Sequence, residues 1–492
     1  YFLLFAVLSS KIFFKDAIAH SLPYLSFLTK PLFVYVLLLL LSTIHLSRQT
    51  FTLMQTRIKP SLLFLLSFVF VILVGAGLLS LPNATTHRIP FIDALFISTT
   101  SVCVTGLTTV DVATSFTHIG HIIIMILIQI GGIGVMTFTS FFALSFMGKS
   151  SFTSKMMLKD MLNEDRTGGL FRVILNILFV TLFIEGIGAY FIYMDVRGSL
   201  PGGTQQELFY AMFHAVSAFC NAGFDLLGVR TPFSSLTSYA ANPVINFTIM
   251  FLIVFGGIGF LTWDDIRTNR LHLHKYRMQS KVILCTTAVL LIVPAMYFYF
   301  FEFADLTQKE RLLSSLFQAV TPRTAGFNTV ELTDLSEAGQ FITIALMLIG
   351  GSPGSTAGGL KTTTIAVLLT TAISTFRRRE NAHLFGRRID DDVVKNAATI
   401  SLMYITLCCT GGLIISVSEG LPMLTCLFET ASAVGTVGLS LGITPELNLL
   451  SRSVLILLMF FGRVGGLTLI FAALSSAQKK VSKLPKEKIT VG

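Results

Sequence analysis

The chain has 492 residues, of which 53% are hydrophobic and only 13% are charged, about half the charged share of a typical soluble domain. Long, almost uncharged stretches recur along it, which is typical of membrane-spanning helices and excludes a soluble enzyme, a disordered protein and a fibrous protein. In a membrane protein the formal charge of +10 is expected in loops that face the cytoplasm, and no nucleic-acid-binding motif accompanies it.

Nine stretches are predicted to be helical spans, because none of them shows the alternating pattern of a membrane β-strand. In chain order they are residues 31–44, 61–81, 119–146, 171–194, 244–263, 282–301, 341–376, 397–417 and 453–474. Residues 1–9 are also apolar, and we interpret them as the remainder of a tenth span trimmed at its start. We therefore expect residues 1–57 to form one or more extra N-terminal spans.

Charged residues predict which ends of the spans face the cytoplasm. Basic residues concentrate in the loops 149–172, 267–281 and 377–388 and in the C-terminal tail 479–492, whereas the loop 331–337 carries only acids. By the positive-inside rule the basic loops face the cytoplasm. Apart from this topological role, the loops 267–281 and 377–388 and the tail are candidates for the docking face of a soluble partner.

One motif recurs four times between the spans. Each copy has a phenylalanine near the start of a short helix, then a glycine nine or ten residues later and a bulky apolar residue; the copies are residues 94–107, 211–224, 315–327 and 426–439. A second cluster of glycines follows each copy, starting at Gly131, Gly256, Gly350 and Gly462. Two features that recur in phase predict an internal repeat with units 58–150, 151–270, 271–385 and 386–478.

The repeat predicts an all-α membrane protein of four parallel units, each a span, a half-helix, a filter loop and a span, around a pseudo-fourfold, potassium-channel-like pore. Irregular backbone at membrane depth is tolerated only where it lines a water-filled path or is buried in protein. Rings of backbone carbonyls would replace the hydration shell of a cation, and glycine permits the backbone angles that this requires. The loops carry no ring of Asp or Glu, which favours selection by carbonyls, as for potassium.

The four loops closely resemble the selectivity filters of the TrkH/KtrB family of potassium-uptake proteins. The resemblance covers about residues 58–478 and is carried by Thr105-Gly106-Leu107, Asn221-Ala222-Gly223-Phe224, Pro322-Arg323-Thr324-Ala325-Gly326-Phe327-Asn328 and Gly435-Thr436-Val437-Gly438-Leu439. It implies that K⁺ binds at the backbone carbonyls of four segments, here named the first to fourth glycine loops. Their residues are Cys103, Val104, Thr105 and Gly106; Cys220, Asn221, Ala222 and Gly223; Arg323, Thr324, Ala325 and Gly326; and Gly435, Thr436, Val437 and Gly438.

The same resemblance implies the biological setting. We expect a multi-pass protein of the bacterial plasma membrane that takes up potassium, forms a homodimer and binds a cytoplasmic ring of nucleotide-binding regulatory subunits of the TrkA/KtrA type. K⁺ is the transported ion, and no organic cofactor, nucleic-acid partner or enzymatic activity is expected. Members that admit sodium freely tend to have Ser in the first filter, where this chain has Gly106.

A glycine-rich run, residues 350–361, interrupts the predicted span 341–376; we name it the Pro353 segment. Pro353 removes a helix donor and five glycines weaken the helix, so we expect a break here. Arg463 lies inside another span, where an arginine costs about 2.5–3.5 kcal/mol, so it should face the pore or a partner, with the hydroxyls of the segment as acceptors. The resemblance implies a gate made of Gly350, Gly351, Ser352, Pro353, Gly354, Ser355, Thr356, Gly358, Gly359, Lys361 and Arg463. Gly466 stands where the family often has Pro, which affects only the local kink.

Other interpretations of these residues stay open. A broken span also suits a secondary transporter of another cation or small solute, and Gly350 to Gly354 match the G-x-S-x-G pattern of an intramembrane serine protease, which would need a histidine base. The glycine pairs at 131 and 256 are typical of close helix packing. Glu185 is either a proton or sodium site or a structural carboxyl. His214 and Glu429, on the half-helices, are expected to be packing or bracing residues.

Overall fold

The computed structural model describes residues 60–134, 170–198, 203–227, 231–270 and 272–465. The predicted spans at 1–9 and 31–44, most of the basic loop 149–172 and the C-terminal tail lie outside these residues. The chain divides into two compact units, Tyr1–Leu63 and Phe64–Gly492, and the description below concerns the second.

Helices dominate the described residues, which confirms the all-α class. In chain order they are α1 (Pro60–Leu79), α2 (Phe91–Cys103), α3 (Val112–Ser115), α4 (His118–Ile133), α5 (Leu170–Val196), α6 (Gly203–Phe219), α7 (Pro243–Ile258), α8 (Phe260–Asn269), α9 (Met278–Tyr297), α10 (Gln308–Val320), α11 (Glu337–Leu348), α12 (Thr362–Phe376), α13 (Asp391–Glu419), α14 (Met423–Gly435) and α15 (Leu449–Val464). Between α12 and α13, β1 (His383–Leu384) and β2 (Arg387–Arg388) form a two-residue antiparallel hairpin. We refer to α2, α6, α10 and α14 as the short helices, and to α4, α7, α11 and α15 as the inner helices.

Each inner helix begins at a side-chain cap that the sequence provides. The side chains of Thr117, Asn242, Ser336 and Asn448 accept hydrogen bonds from backbone N–H groups in the first turns of α4, α7, α11 and α15. Pro243 occupies the first helical position of α7, where its missing N–H costs nothing. These caps satisfy donors that the helix itself leaves free, and they set the starting points of the four inner helices.

Among the described helices, three are long and apolar enough to cross a membrane as single elements. They are Leu175–Val196, Met278–Glu302 and Asp391–Glu419. Large apolar side chains such as Phe179, Phe301 and Val417 are exposed on them. A helix that is apolar on its outward face suits a lipid surround, where its backbone groups are satisfied internally.

The short and inner helices contact one another in a closed sequence. α4 packs on α6, α7 on α10, α11 on α14, and α15 returns to α2. At this last contact Arg452 of α15 forms an ion pair with Asp93 of α2, with 2.6 Å between Nη1 and Oδ1. The four short helices are therefore held around a common centre, each between elements of neighbouring units.

The predicted span 244–263 is not one helix. α7 ends at Ile258, Gly259 adopts a φ of +96°, and the helices on either side meet at 98°. Backbone groups at the break bond to another segment. The N–H of Phe260 bonds to the carbonyl of Gly354, at 3.1 Å, instead of to a carbonyl in the last turn of α7. The prediction of a continuous helix was therefore wrong, because a distant segment supplies the hydrogen bonds that continuation would have made.

Candidate functional site

Each short helix is followed by a loop with the same backbone conformation. Within each glycine loop two residues, separated by one, lie in the left-handed region of φ. They are Val104 and Gly106 (φ 55° and 99°), Asn221 and Gly223 (61° and 68°), Thr324 and Gly326 (66° and 81°), and Thr436 and Gly438 (52° and 95°). Three of the non-glycine residues are β-branched, and such residues adopt a positive φ only when the surrounding structure holds them there.

The amide N–H groups of the loops turn back towards the short helices. In the first loop Thr105 N donates to the carbonyl of Thr100 at 2.8 Å, and Gly106 N donates to its hydroxyl at 2.9 Å. In the fourth loop Val437 N and Gly438 N bond in the same way to the carbonyl and hydroxyl of Ser432, at 2.8 and 3.0 Å. In the second and third loops only the first kind of bond is found among the described residues, from Ala222 N to the carbonyl of Ser217 at 2.7 Å and from Ala325 N to that of Thr321 at 3.0 Å. The N–H edge of each loop therefore lies on the end of its own short helix.

The four loop glycines approach one another closely. A β-carbon on Gly106 would lie 2.5 Å from the carbonyl oxygen of Ala222, which no side chain tolerates. The next three contacts continue in the same direction: Gly223 against the carbonyl of Ala325, Gly326 against that of Val437, and Gly438 against that of Thr105. The loops thus form a closed ring in which each glycine backbone contacts the neighbouring loop.

A cavity of about 650 Å³ opens on this ring and is lined by all four glycines together with the residues that follow them. Three carboxyl residues, Asp111, Asp225 and Glu331, are part of its lining, and no lysine or arginine is found among the described residues that line it. Asp111 also joins two walls, because its Oδ2 accepts the N–H of Phe233 at 3.0 Å. The cavity is therefore polar and acidic.

The Pro353 segment lies against the inner helix α7. α11 ends at Leu348 and α12 begins at Thr362, so the helix is interrupted along the segment. Ser352 N donates to the carbonyl of Gly257 at 3.0 Å and Thr356 N to that of Gly256 at 3.2 Å. The carbonyls exposed where α7 breaks are thus satisfied by the segment, which gives the glycine cluster at 256 a specific packing partner.

Arg463 connects α15 with the Pro353 segment and with α4. One guanidinium nitrogen donates to the carbonyl of Thr356 and the other to the carbonyl of Gly131 in α4. The expectation that hydroxyls of the segment accept from Arg463 was wrong, since the acceptors are main-chain oxygens. The hydroxyls are used elsewhere: Ser352 bonds to the hydroxyl of Thr362 at 3.2 Å and Ser355 to the carbonyl of Ser352 at 2.6 Å.

A second cation, Lys361, closes the segment on itself. Its Nζ donates to the carbonyls of Ala357 at 2.8 Å and Gly358 at 3.3 Å. Two positively charged side chains therefore contact the segment: Lys361, its last residue, and Arg463 of α15. Each is held by backbone carbonyls, and neither takes part in an ion pair among the described residues.

Some residues of the glycine loops differ in setting from the others. Cys103 and Gly435 still belong to α2 and α14, as the last residue of each helix. The Arg323 side chain is buried and reaches Thr287 of α9, 3.4 Å away, while the Arg323 carbonyl accepts the amide of Asn221 at 3.2 Å. The sequence did not predict a role for the side-chain amide of Asn221. The one available signal is its residue type, because the equivalent positions hold Val104, Thr324 and Thr436.

The other polar residues of interest have structural partners. Glu429 accepts hydrogen bonds from Ser440, Leu441 and Thr444. His214 lies between the carbonyl of Tyr210 and the N–H of Leu226. Glu185 accepts the amide of Gln129 at 3.1 Å and the thiol of Cys220 at 3.8 Å. The hydroxyl of Ser352 meets a threonine, so no serine–histidine pair forms there among the described residues.

Comparisons with known proteins identify the family of the chain. A family profile described as "TrkH: Cation transport protein" matches residues 35–484, beyond the range that the motifs cover. The "Potassium/sodium uptake protein NtpJ" of Enterococcus hirae is 39% identical over 454 residues, covering 89% of this chain and 98% of the relative. The "Ktr system potassium uptake protein B" of Bacillus subtilis is 35% identical over 431 residues, covering 86% and 95%.

The fold also has a solved counterpart. The crystal structure of the potassium transporter TrkH from Vibrio parahaemolyticus aligns with a TM-score of 0.65 at 19% identity, over 83% of this chain and 84% of that one. The family match and the identities of 35–39% extend over most of the chain. The chain therefore belongs to the TrkH family of cation transport proteins, which are membrane transporters and not enzymes.

Proposed function

We propose that this chain is the pore-forming subunit of a potassium-uptake system in the bacterial plasma membrane, with its four units arranged as parallel repeats around one pore. The observation that carries the proposal is the closed ring of glycine loops, in which four equal backbone conformations meet at one centre. The names of the relatives, which refer to potassium or potassium/sodium uptake, support K⁺ as the transported ion.

The backbone of the glycine loops explains how a dehydrated cation would be held. In each loop the residue between the two positive-φ residues has a negative φ, and this alternation turns N–H groups to one side of the chain and carbonyls to the other. Because the N–H edge lies on the short helix, the carbonyl edge is left for the centre of the ring. Four such edges supply rings of oxygens that replace the water shell of K⁺.

Two further features favour cations. The short helices end at the ring, and the C-terminal end of a helix carries a partial negative charge of roughly half an elementary charge. The cavity beside the ring is lined by Asp111, Asp225 and Glu331, and a cleft with charges of one sign raises the local concentration of the opposite ion. The cavity thus acts as a vestibule that concentrates cations before they enter the filter.

The gate of this pore is formed by the Pro353 segment and Arg463. The segment contacts α7 and, through Gly358, the fourth glycine loop at Thr436, so it lies directly beside the ring. Arg463 ties it to α4 and α15 and places a fixed positive charge there. A positive charge in a medium of low dielectric opposes the passage of K⁺, so opening requires the segment to move and the arginine to leave the path.

The proposal includes an assembly. Two copies of the chain form a homodimer, and a cytoplasmic nucleotide-binding ring docks on the basic loops 267–281 and 377–388. The first of these loops is structured: Arg277 pairs with Asp265 at 3.6 Å, and Lys281 donates to the carbonyl of His274 at 2.8 Å. A second relative, whose name places it in a Ktr system, supports association with other subunits.

Rubidium uptake into proteoliposomes, with sodium as competitor, tests the proposed function. Wild-type protein should carry rubidium in preference to sodium. Gly106→Ser should lower that preference about tenfold, which corresponds to roughly 1.4 kcal/mol, because its β-carbon collides with the carbonyl of Ala222. Gly77→Ser is the matched control, since Gly77 lies in α1 with open space around it.

Two outcomes would contradict the proposal. Equal preference in wild type, Gly106→Ser and Gly77→Ser, with all three folded, would remove the first glycine loop from the filter. Rubidium uptake that stops whenever the sodium and proton gradients are collapsed, even with a rubidium gradient present, would favour a secondary transporter instead.

A further inference from the structure

The second glycine loop is joined to the Pro353 segment by a short chain of hydrogen bonds. The single hydroxyl proton of Thr356 is shared between two acceptors, the carbonyl of Phe219 at 3.0 Å and Oδ1 of Asn221 at 3.3 Å. Nδ2 of Asn221 in turn donates to the carbonyl of Arg323, at 3.2 Å, in the third glycine loop. Thr356 and Asn221 are both fully buried, so water does not compete for these bonds.

The residue type at position 221 makes this chain possible. The equivalent positions in the other loops hold Val104, Thr324 and Thr436. Asparagine carries its donor and its acceptor on two different atoms of one planar amide, so its oxygen can face the segment while its nitrogen faces the neighbouring loop. Asparagine also tolerates the φ of 61° found there.

Thr356 is held from its other side by Arg463. The guanidinium binds the carbonyl of Thr356, while the hydroxyl of the same residue reaches the second loop. One residue of the segment is therefore fixed by Arg463 and, at the same time, fixes Asn221. If the segment moves, the acceptor of Asn221 loses its partner, and its amide is free to turn away from the carbonyl of Arg323.

We infer that Asn221 is a positioning residue that couples the place of the Pro353 segment to the geometry of the second and third glycine loops, so that ion selectivity depends on whether the segment is in place. The inference rests on the proposed function, because it assigns selectivity to the glycine loops. It goes further in one respect: a segment that only blocked the pore would change the amount of flux and not the preference between ions.

Rubidium flux with sodium competition, measured on the full chain in proteoliposomes, separates these roles. Thr356→Val removes the hydroxyl and keeps the shape, and Asn221→Thr installs the residue type of the third and fourth loops. Thr356→Val should lower the preference for rubidium about fivefold, the loss expected for one buried hydrogen bond. Asn221→Thr should lower it at least as much, because it removes the whole amide and places a β-branched residue at a φ of 61°. Thr356→Ser keeps the hydroxyl and should retain the wild-type preference.

The double variant carries the decisive measurement. Because both changes break the same chain of bonds, Thr356→Val with Asn221→Thr should be no less selective than Asn221→Thr alone. Thr343→Val is the matched control: its hydroxyl is equally buried and, among the described residues, bonds only to the carbonyl of Gly339 in its own helix, at 2.8 Å. That variant should keep both the flux and the preference of the wild type.

A wild-type preference in Thr356→Val and in Asn221→Thr, whatever their total flux, would overturn the inference. So would losses that add up in the double variant. If either single variant fails to fold, as judged by gel filtration in detergent, the other still decides. Absence of rubidium flux in the wild type would instead refute the proposed function, which is a different result from unchanged selectivity.

Discussion

In the first and fourth glycine loops, a hydroxyl six residues before the glycine accepts the glycine N–H. Thr100 does so for Gly106 and Ser432 for Gly438. In the second loop the equivalent hydroxyl, Ser217, has no hydrogen-bond partner in the described part of the chain. The third loop is one residue shorter, and there Thr321, five residues before Gly326, donates its hydroxyl instead to the carbonyl of Phe327. The four loops therefore share a backbone conformation but differ in the side-chain hydrogen bonds that support it.

The contacts between neighbouring predicted units, here called seams, also differ in the bonds that support them. Between the predicted fourth and first units, Arg452 forms its ion pair with Asp93, and it also donates to the carbonyl of Pro445 within its own unit at 2.8 Å. Between the predicted second and third units there are main-chain bonds, such as Leu236 N to the carbonyl of Asn328 at 3.0 Å, and the bond from the Asn221 amide, whose oxygen also contacts the Pro353 segment. One half of the ring is thus supported locally, while the other half is connected to the element proposed to move.

The largest effect is expected at the seam between the fourth and first units. Asp93→Ala leaves the mostly buried guanidinium of Arg452 without its carboxylate, and breaking such a pair costs about 3 kcal/mol. Thermal unfolding in detergent should show a clear loss of stability. Asp93→Asn, which keeps an acceptor for Arg452, should lose less.

The proposed difference between the two halves of the ring can be tested by comparing the Asp93–Arg452 contact with the contact made by the Asn221 amide. Asn221→Thr removes the neutral hydrogen bonds of the amide and places a β-branched residue at a φ of 61°, which together are worth about 2 kcal/mol. If Asp93→Ala lowers the unfolding temperature no more than Asn221→Thr does, the two seams are equivalent and the contrast between the halves of the ring has no energetic basis.

Sequence patterns predicted the parts of the fold that depend on local chemistry. The glycine loops could be predicted because a glycine at a positive φ is required nine or ten residues after a phenylalanine in each copy of the motif. The interruption along the Pro353 segment could be predicted because proline and glycine disfavour a helix. The membrane class followed from length and apolar content alone.

The partners of these elements could not be predicted in the same way. Gly256 to Gly259 resemble a stripe of small residues for helix packing, and nothing in their sequence indicates that Ser352 and Thr356 replace the helical hydrogen bonds. Arg463 binds main-chain carbonyls, which every residue possesses, so the amino-acid sequence does not indicate which residues accept its hydrogen bonds. The Asn221 bonds join residues more than a hundred positions apart and depend on the folded ring.

An intermediate effect is expected at the proposed gate. Arg463→Ala removes a positive charge beside the ring and should raise rubidium flux about tenfold. Deletion of residues 352–357 should raise flux as well, and because both changes act on one barrier, the double variant should gain less than the two free energies added together. Lower flux in both folded single variants would show that these groups build the pathway instead of blocking it.

The smallest effect is expected from removing the serine hydroxyl that lies six residues before the glycine, in the second and in the fourth glycine loop. Ser432→Ala removes the acceptor of the Gly438 N–H and should cost about 1 kcal/mol, whereas Ser217→Ala removes a hydroxyl without a partner among the described residues and should cost nearly nothing. Ion preference and unfolding temperature are measured on both, with Thr100→Val as a second test of the first loop. Because the substitutions at 217 and 432 are chemically identical, a difference between them reports only the support of each loop. Equal losses at both positions would mean that an unseen partner, such as a bound water, supports the second loop, and that the ring is uniform after all.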